Sequence, residues 1–157
     1  MMIFFEILAV IFALSYLYLA MEQNIACWYA AFFSTSIYIF LYWDVSLYME
    51  SLLNFYYLGM AVYGWRQWRN RSKEKHKSIT IWSVNKHILI ISLIILLSFS
   101  SGYFLSHSDA VRPYLDSFTT WASVITTYMV TQKILSNWLY WIVINSVGIF
   151  LNLDREL

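Results

Sequence analysis

Asn54-Phe55-Tyr56-Tyr57-Leu58-Gly59-Met60-Ala61-Val62-Tyr63-Gly64-Trp65-Arg66-Gln67-Trp68 is apolar enough to lie in a bilayer, yet it opens on an amide and holds three tyrosines and two tryptophans. Read as a helix, Asn54, Tyr57, Ala61, Gly64/Trp65 and Trp68 recur at steps of three and four, so they share one polar-aromatic face. Lipid offers no partner to an amide at mid-depth, and an unsatisfied polar group there costs several kcal/mol. The face is therefore expected to look inward, at a partner helix or at a solute.

The surrounding chain repeats this apolar character. Its 157 residues are 61% hydrophobic and 12% charged, about half the charge of an ordinary soluble domain. Windows long enough to cross a hydrocarbon layer, about 20 residues each, recur along it. The expected spans are 3–21, 25–43, 45–65, 87–104, 118–131 and 134–153, an all-α integral membrane protein with six transmembrane helices. The second carries Ala26, Ala30 and Ser34 four residues apart, a stripe that admits a neighbouring backbone. Glu6 and Glu50 lie within about two turns of a surface, where an acid can reach water. The Met-Met-Ile-Phe-Phe-Glu start lacks the basic region of a signal peptide.

Arg66, Arg69, Arg71, Lys73, Lys75 and Lys77 follow the third span. Positive charge concentrates in short cytoplasmic loops, which places loop 66–86 inside and the N-terminus outside. A bacterial inner membrane is the expected location. Formal net charge is only +1, and no nucleic-acid motif is present. Cys27 is the single cysteine, and His76, His87 and His107 are scattered. No metal cluster, phosphate loop or nucleophile–base pair is visible, so neither a cofactor nor an enzyme is expected.

A shift of 110 residues superposes Tyr18 on Tyr128, Trp28 on Trp138, Ser36 on Ser146, Ile39-Phe40-Leu41 on Ile149-Phe150-Leu151, Asp44 on Asp154 and Leu47 on Leu157. Span one then falls on span five and span two on span six. Parallel repeats need an odd helix between them, here 87–104. The expected organisation is repeat one over 3–65, linker helix 87–104 and a partial second repeat over 118–157. Parallel repeats about a membrane-normal axis mark transporters. The counterpart of span three would begin near residue 155, so the expected form lacks one helix, through truncation or because a partner chain supplies it.

Two motifs then stand out. Tyr63-Gly64-Trp65 with Trp68 closes the third span, and Asn137, Trp138, Trp141 and Asn145, following Thr131 and Lys133, open the sixth. In these the sequence resembles the PnuC family of bacterial vitamin transporters, over about Glu6 to Leu153. The resemblance implies a bundle of three plus one plus three helices, related to the SWEET sugar carriers and present here as three plus one plus two. It also implies uptake of nicotinamide riboside by facilitated diffusion, with intracellular phosphorylation as the trap. Where the family has Gln, Phe and Asn in the third helix, this chain has Asn54, Tyr57 and Ala61. Relatives in the superfamily carry thiamine or riboflavin, so thiamine is the alternative substrate.

Trp138, Trp141 and Asn145, at i, i+3 and i+7, put two indoles and an amide on one side of span six. Such a face suits a flat cation, since an aromatic face attracts one by about 0.5–2 kcal/mol. The expected binding residues are Asn54, Tyr57, Trp65, Trp68, Asn137, Trp138, Trp141 and Asn145, with a vitamin and the lipid bilayer as partners; a homo-oligomer is compatible with the sequence. Tryptophan at a span end is also an interfacial anchor, a role open to Trp28, Trp65 and Trp68. An intramembrane Asn is also interhelical glue. A non-transporting membrane subunit is the reading from another class, resting on the absent helix.

Overall fold

In a computed structural model of the chain, residues 1–44, 46, 48–72, 79–107 and 112–154 are described. Lys73, Lys75, His76 and Lys77 of the basic cluster lie outside them. Six helices account for nearly all of it: α1 Met2–Met21, α2 Cys27–Asp44, α3 Tyr48–Ser72, α4 Val84–Leu105, α5 Pro113–Thr131 and α6 Asn137–Asp154. They form two compact units, Met1–Ser78 and Ile79–Leu157. In the first, α2 packs against both α1 and α3; in the second, α5 packs against both α4 and α6. Span four, read as a linker, thus packs on α5.

Helix ends depart from the expected spans for local reasons. α3 continues through Arg66 and Arg69 to Ser72, because Arg and Gln are good helix formers and cations at a helix C-terminus oppose the dipole. α5 starts at Pro113, not 118, with Asp116 in its first turn; both features favour a helix start. α4 starts at Val84, where Ser83 caps it by accepting from the Lys86 N–H at 3.4 Å.

The links α1–α2 and α5–α6 are built alike. Gln23 and Lys133 both take the left-handed conformation, with φ of 55° and 54°. The N–H of Gln23 donates to Ala20 O at 3.1 Å, as Lys133 does to Val130 O at 3.1 Å. The next N–H reaches one residue further back, Asn24 to Leu19 O at 2.9 Å and Ile134 to Met129 O at 3.0 Å. This is the Schellman ending of a helix, made twice 110 residues apart. Among the described residues, only the second link takes an extra strand-like bridge, with Thr80 N donating to Lys133 O at 2.9 Å and Leu135 N to Thr80 O at 3.0 Å.

Buried positions follow a seven-residue spacing, the period at which a helix returns the same face to a partner. On α2 they are Cys27, Ser34 and Leu41; on α3, Asn54, Ala61 and Trp68; on α6, Asn137, Ile144 and Leu151. Hydroxyls stitch the first unit across its helices: Ser34 donates to Ala9 O at 3.0 Å and Ser51 to Ile39 O at 3.1 Å. Of the small-residue stripe, Ala30 and Ser34 are buried. Outward faces are apolar instead, with Phe40 81%, Phe104 75% and Leu153 72% exposed. By length and hydropathy α1 and α4 are each long and apolar enough to cross a membrane, and α6 carries a shorter apolar run, Asn137–Leu151.

Candidate functional site

In the first unit, the polar-aromatic face of α3 meets α2. Trp68 is buried and packs edge-on to Trp28, their ring centroids 5.3 Å apart and planes at 85°. Trp28 is 3% exposed, so it is a core residue and not the interfacial anchor its place near a span end suggested. Its ring lies over Gly64, where a Cβ would come within 2.6 Å of two indole carbons. The glycine of Tyr63-Gly64-Trp65 is thereby explained: only a missing side chain lets α3 approach the Trp28 indole. Tyr16 of α1 closes the group, its ring 6.0 Å from Trp28.

Trp65 and Tyr57 flank this seam and are half-buried. Arg69 lies over the Trp65 ring at 5.1 Å, and Tyr29 is 6.4 Å from it. Trp28, Ala61 and Trp65 contribute to a cavity of about 180 Å³ between α2 and α3. That is smaller than the roughly 300–1,000 Å³ of a drug-sized ligand site, so it holds part of a nucleoside at most. Asn54 stands two turns away in the packing seam, with Nδ2 donating to Glu50 O at 2.9 Å. Its amide is drawn back onto its own helix.

In the second unit, α6 separates the four motif residues. At about 100° per residue, Trp138, Trp141 and Asn145 fall within one narrow sector, beside the buried Asn137–Ile144–Leu151 seam. Both tryptophans are half-buried and Asn145 is exposed. Trp141 packs against the cluster of Ile94, Ala122 and Ile144. Asn137 is 6% exposed; Nδ2 donates to Ile134 O at 2.6 Å, while Oδ1 is buried with no partner among the described residues. The sector is thus aromatic and amide-edged, and α6 carries no basic residue.

Two features of this unit had no counterpart in the sequence reading. Along α5, Ser117, Ser123, Thr126, Thr127 and Thr131 are all buried; five hydroxyls in a helix otherwise apolar inside were a signal available from composition alone. At the start of α4, His87 bridges Tyr140 Oη at 2.8 Å and Ser136 Oγ at 3.2 Å, beside Trp82 with Lys86 at 4.5 Å from that ring. This triad closes one end of an apolar cavity of about 440 Å³ between α4, α5 and α6. Among the described residues no group of three His, Cys, Asp or Glu side chains is placed to hold a metal.

Known proteins are similar to this chain in sequence and in fold. The family model described as "Nicotinamide mononucleotide transporter" matches residues 3–157. The nicotinamide riboside transporters PnuC of Escherichia coli (strain K12) and Shigella flexneri are each 20% identical over 158 aligned positions, covering 83% of this chain. The chain spans 66% of the length of these relatives. The crystal structure of the vitamin B3 transporter PnuC superposes with a TM-score of 0.64 at 20% identity, over 95% of this chain and 74% of that one. At this identity the superposition speaks for the fold, while the family match runs almost end to end: the chain belongs to the nicotinamide mononucleotide transporter family, that of the PnuC vitamin transporters.

Proposed function

We propose that this chain carries nicotinamide riboside across the bacterial inner membrane by facilitated diffusion, with intracellular phosphorylation trapping the product. The observation that carries the reading is the α6 sector, two half-buried indoles and an amide beside the helix-packing seam. A pyridinium ring stacks on indole through cation–π attraction, and an amide supplies the hydrogen bonds of a carboxamide or hydroxyl. Trp138, Trp141, Asn145 and Asn137 carry contacts in the second unit; Tyr57 and Trp65 carry them in the first, while Asn54 and Trp68 set the helix packing there. The riboside is preferred to the mononucleotide because the curated relatives are named for the riboside.

The outward Phe and Leu side chains support membrane insertion, since water would penalise them. The basic 66–86 segment supports a cytoplasmic placement for that loop and an external N-terminus. The paired Schellman turns, 110 residues apart, support a SWEET-like parallel repeat with α1 and α2 matched to α5 and α6. Relatives named for nicotinamide riboside support the substrate.

One observation favours a second substrate. Asn54 spends Nδ2 on Glu50 O, and Ala61 is buried where the family's amide would stand. A site with fewer amides suits thiamine, a cationic heteroaromatic without a carboxamide. Competition in bacterial cells lacking their own carriers separates the two: unlabelled riboside is expected to suppress labelled-riboside entry at lower concentration than thiamine or the mononucleotide. Stronger suppression by thiamine reverses the order, and no entry of any probe ends the transporter assignment.

A further inference from the structure

Serine and threonine in an apolar helix normally donate their hydroxyl to a carbonyl one turn back. α5 follows this rule at Thr119 and Thr120, both 2.9 Å from Asp116 O, at Thr127, 2.7 Å from Ser123 O, and at Thr131, 2.6 Å from Tyr128 O. Thr126 breaks it. It is 0% exposed, and its Oγ1, like the Oγ of Ser117 earlier in the same helix, reaches no partner among the described residues.

A second orphan lies at the start of α6. The Asn137 Nδ2 bond to Ile134 O fixes which way the amide points, so the buried, unpartnered atom is the oxygen and can only accept. Thr126 stands one turn, about 4.5 Å of rise, before Met129. The Met129 carbonyl accepts the Ile134 N–H at 3.0 Å, and the Ile134 carbonyl accepts the Asn137 N–H at 3.1 Å. The 110-residue correspondence gives the same neighbourhood. Thr126 takes the place of Tyr16, and Asn137 that of Cys27; in the first unit the Tyr16 ring lies 6.0 Å from that of Trp28, the residue after Cys27 and the counterpart of Trp138. Where one unit has a phenol and a thiol, the other has an unspent donor and an unspent acceptor. Buried polar atoms left without partners cost free energy that a suitable ligand recovers.

We propose that Thr126 is a specificity-determining residue: with Asn137 Oδ1 it holds one substrate group that both accepts and donates. Thr126 Oγ1–H donates to that group, and the group donates to Asn137. A ribose hydroxyl has this chemistry, and so does the carboxamide of a nicotinamide ring. The proposal rests on the transporter reading and adds a residue outside the two family motifs.

Binding to the purified chain, followed by tryptophan quenching, tests it. The probes are nicotinamide riboside, its 2′-, 3′- and 5′-deoxy forms, and nicotinic acid riboside. Thr126→Val keeps the shape and removes the hydroxyl, and is expected to weaken riboside about tenfold while melting no lower than wild type; Thr126→Ser restores binding to within about threefold. One analogue is expected to bind wild type about tenfold more weakly than riboside and to bind wild type and Thr126→Val equally. If that analogue is a deoxy form, the held group is a hydroxyl; if it is the acid, the carboxamide. Equal riboside binding by wild type and Thr126→Val overturns the proposal alone, as it would if a water filled the site. Should the valine variant not fold, a wild type that binds every analogue as well as riboside overturns it. A wild type that binds no probe overturns the transporter reading and this proposal with it.

Discussion

Trp138→Ala is expected to raise the half-saturating concentration of nicotinamide riboside by about two- to thirtyfold, with little change in melting temperature. The indole is half-buried beside the α6 seam, so its removal takes away a stacking surface without emptying the core. Cation–π attraction at a partly desolvated ring contributes roughly 0.5–2 kcal/mol, and each 1.4 kcal/mol is tenfold in affinity. Trp138→Phe keeps a weaker face and should cost about threefold. The neutral dihydro form of the riboside isolates the charge: its binding should fall less than that of riboside in Trp138→Phe. Equal losses for both forms would assign Trp138 to shape alone, and no loss for either would remove it from the site.

Gly64→Ala should destabilise the first unit by about 1–2 kcal/mol, against the usual direction of a glycine-to-alanine change in a helix. Alanine gains roughly 0.5–1 kcal/mol there through backbone entropy. At Gly64, however, the new Cβ meets Trp28 ring carbons at 2.6, 2.6 and 2.7 Å. The indole cannot swing aside, because Tyr16 and Trp68 hold it, and overpacking costs typically 1–3 kcal/mol. Gly59 is the control, with nothing within 4 Å of its would-be Cβ, so Gly59→Ala should stabilise by about 0.5–1 kcal/mol. Trp28→Phe should rescue Gly64→Ala. Thermal unfolding decides: a Gly64→Ala protein as stable as Gly59→Ala means that Trp28 does not seat on this glycine.

How far the sequence discloses this architecture depends on what each residue reports. Hydropathy located six helices, because long apolar runs have one stable form in lipid. It misplaced their ends at Arg66–Ser72 and at Pro113, where charge and proline decide the boundary and apolarity does not. The inward face of α3 was legible from the spacing of Asn54, Ala61 and Trp68; that it looks at α2 was not, since periodicity fixes a face and not its neighbour. Trp28 shows the limit most clearly. Near a span end, an anchor and a core tryptophan have the same local sequence, and only the glycine across from it tells them apart. The pairing of Trp28 with Trp138 in the 110-residue shift was the available clue. On α6 the shared sector of Trp138, Trp141 and Asn145 followed from spacing, whereas the amide orientation at Asn137 needed the Ile134 carbonyl in place.

Purified protein in liposomes gives the most direct test of riboside passage by facilitated diffusion. Labelled nicotinamide riboside should enter until inside and outside concentrations are equal, at a rate reduced about two- to thirtyfold by Trp138→Ala under subsaturating conditions. Accumulation above the outside concentration should appear only when a kinase and ATP are enclosed. Entry no faster than into protein-free liposomes, or uphill accumulation without the kinase, would contradict this account.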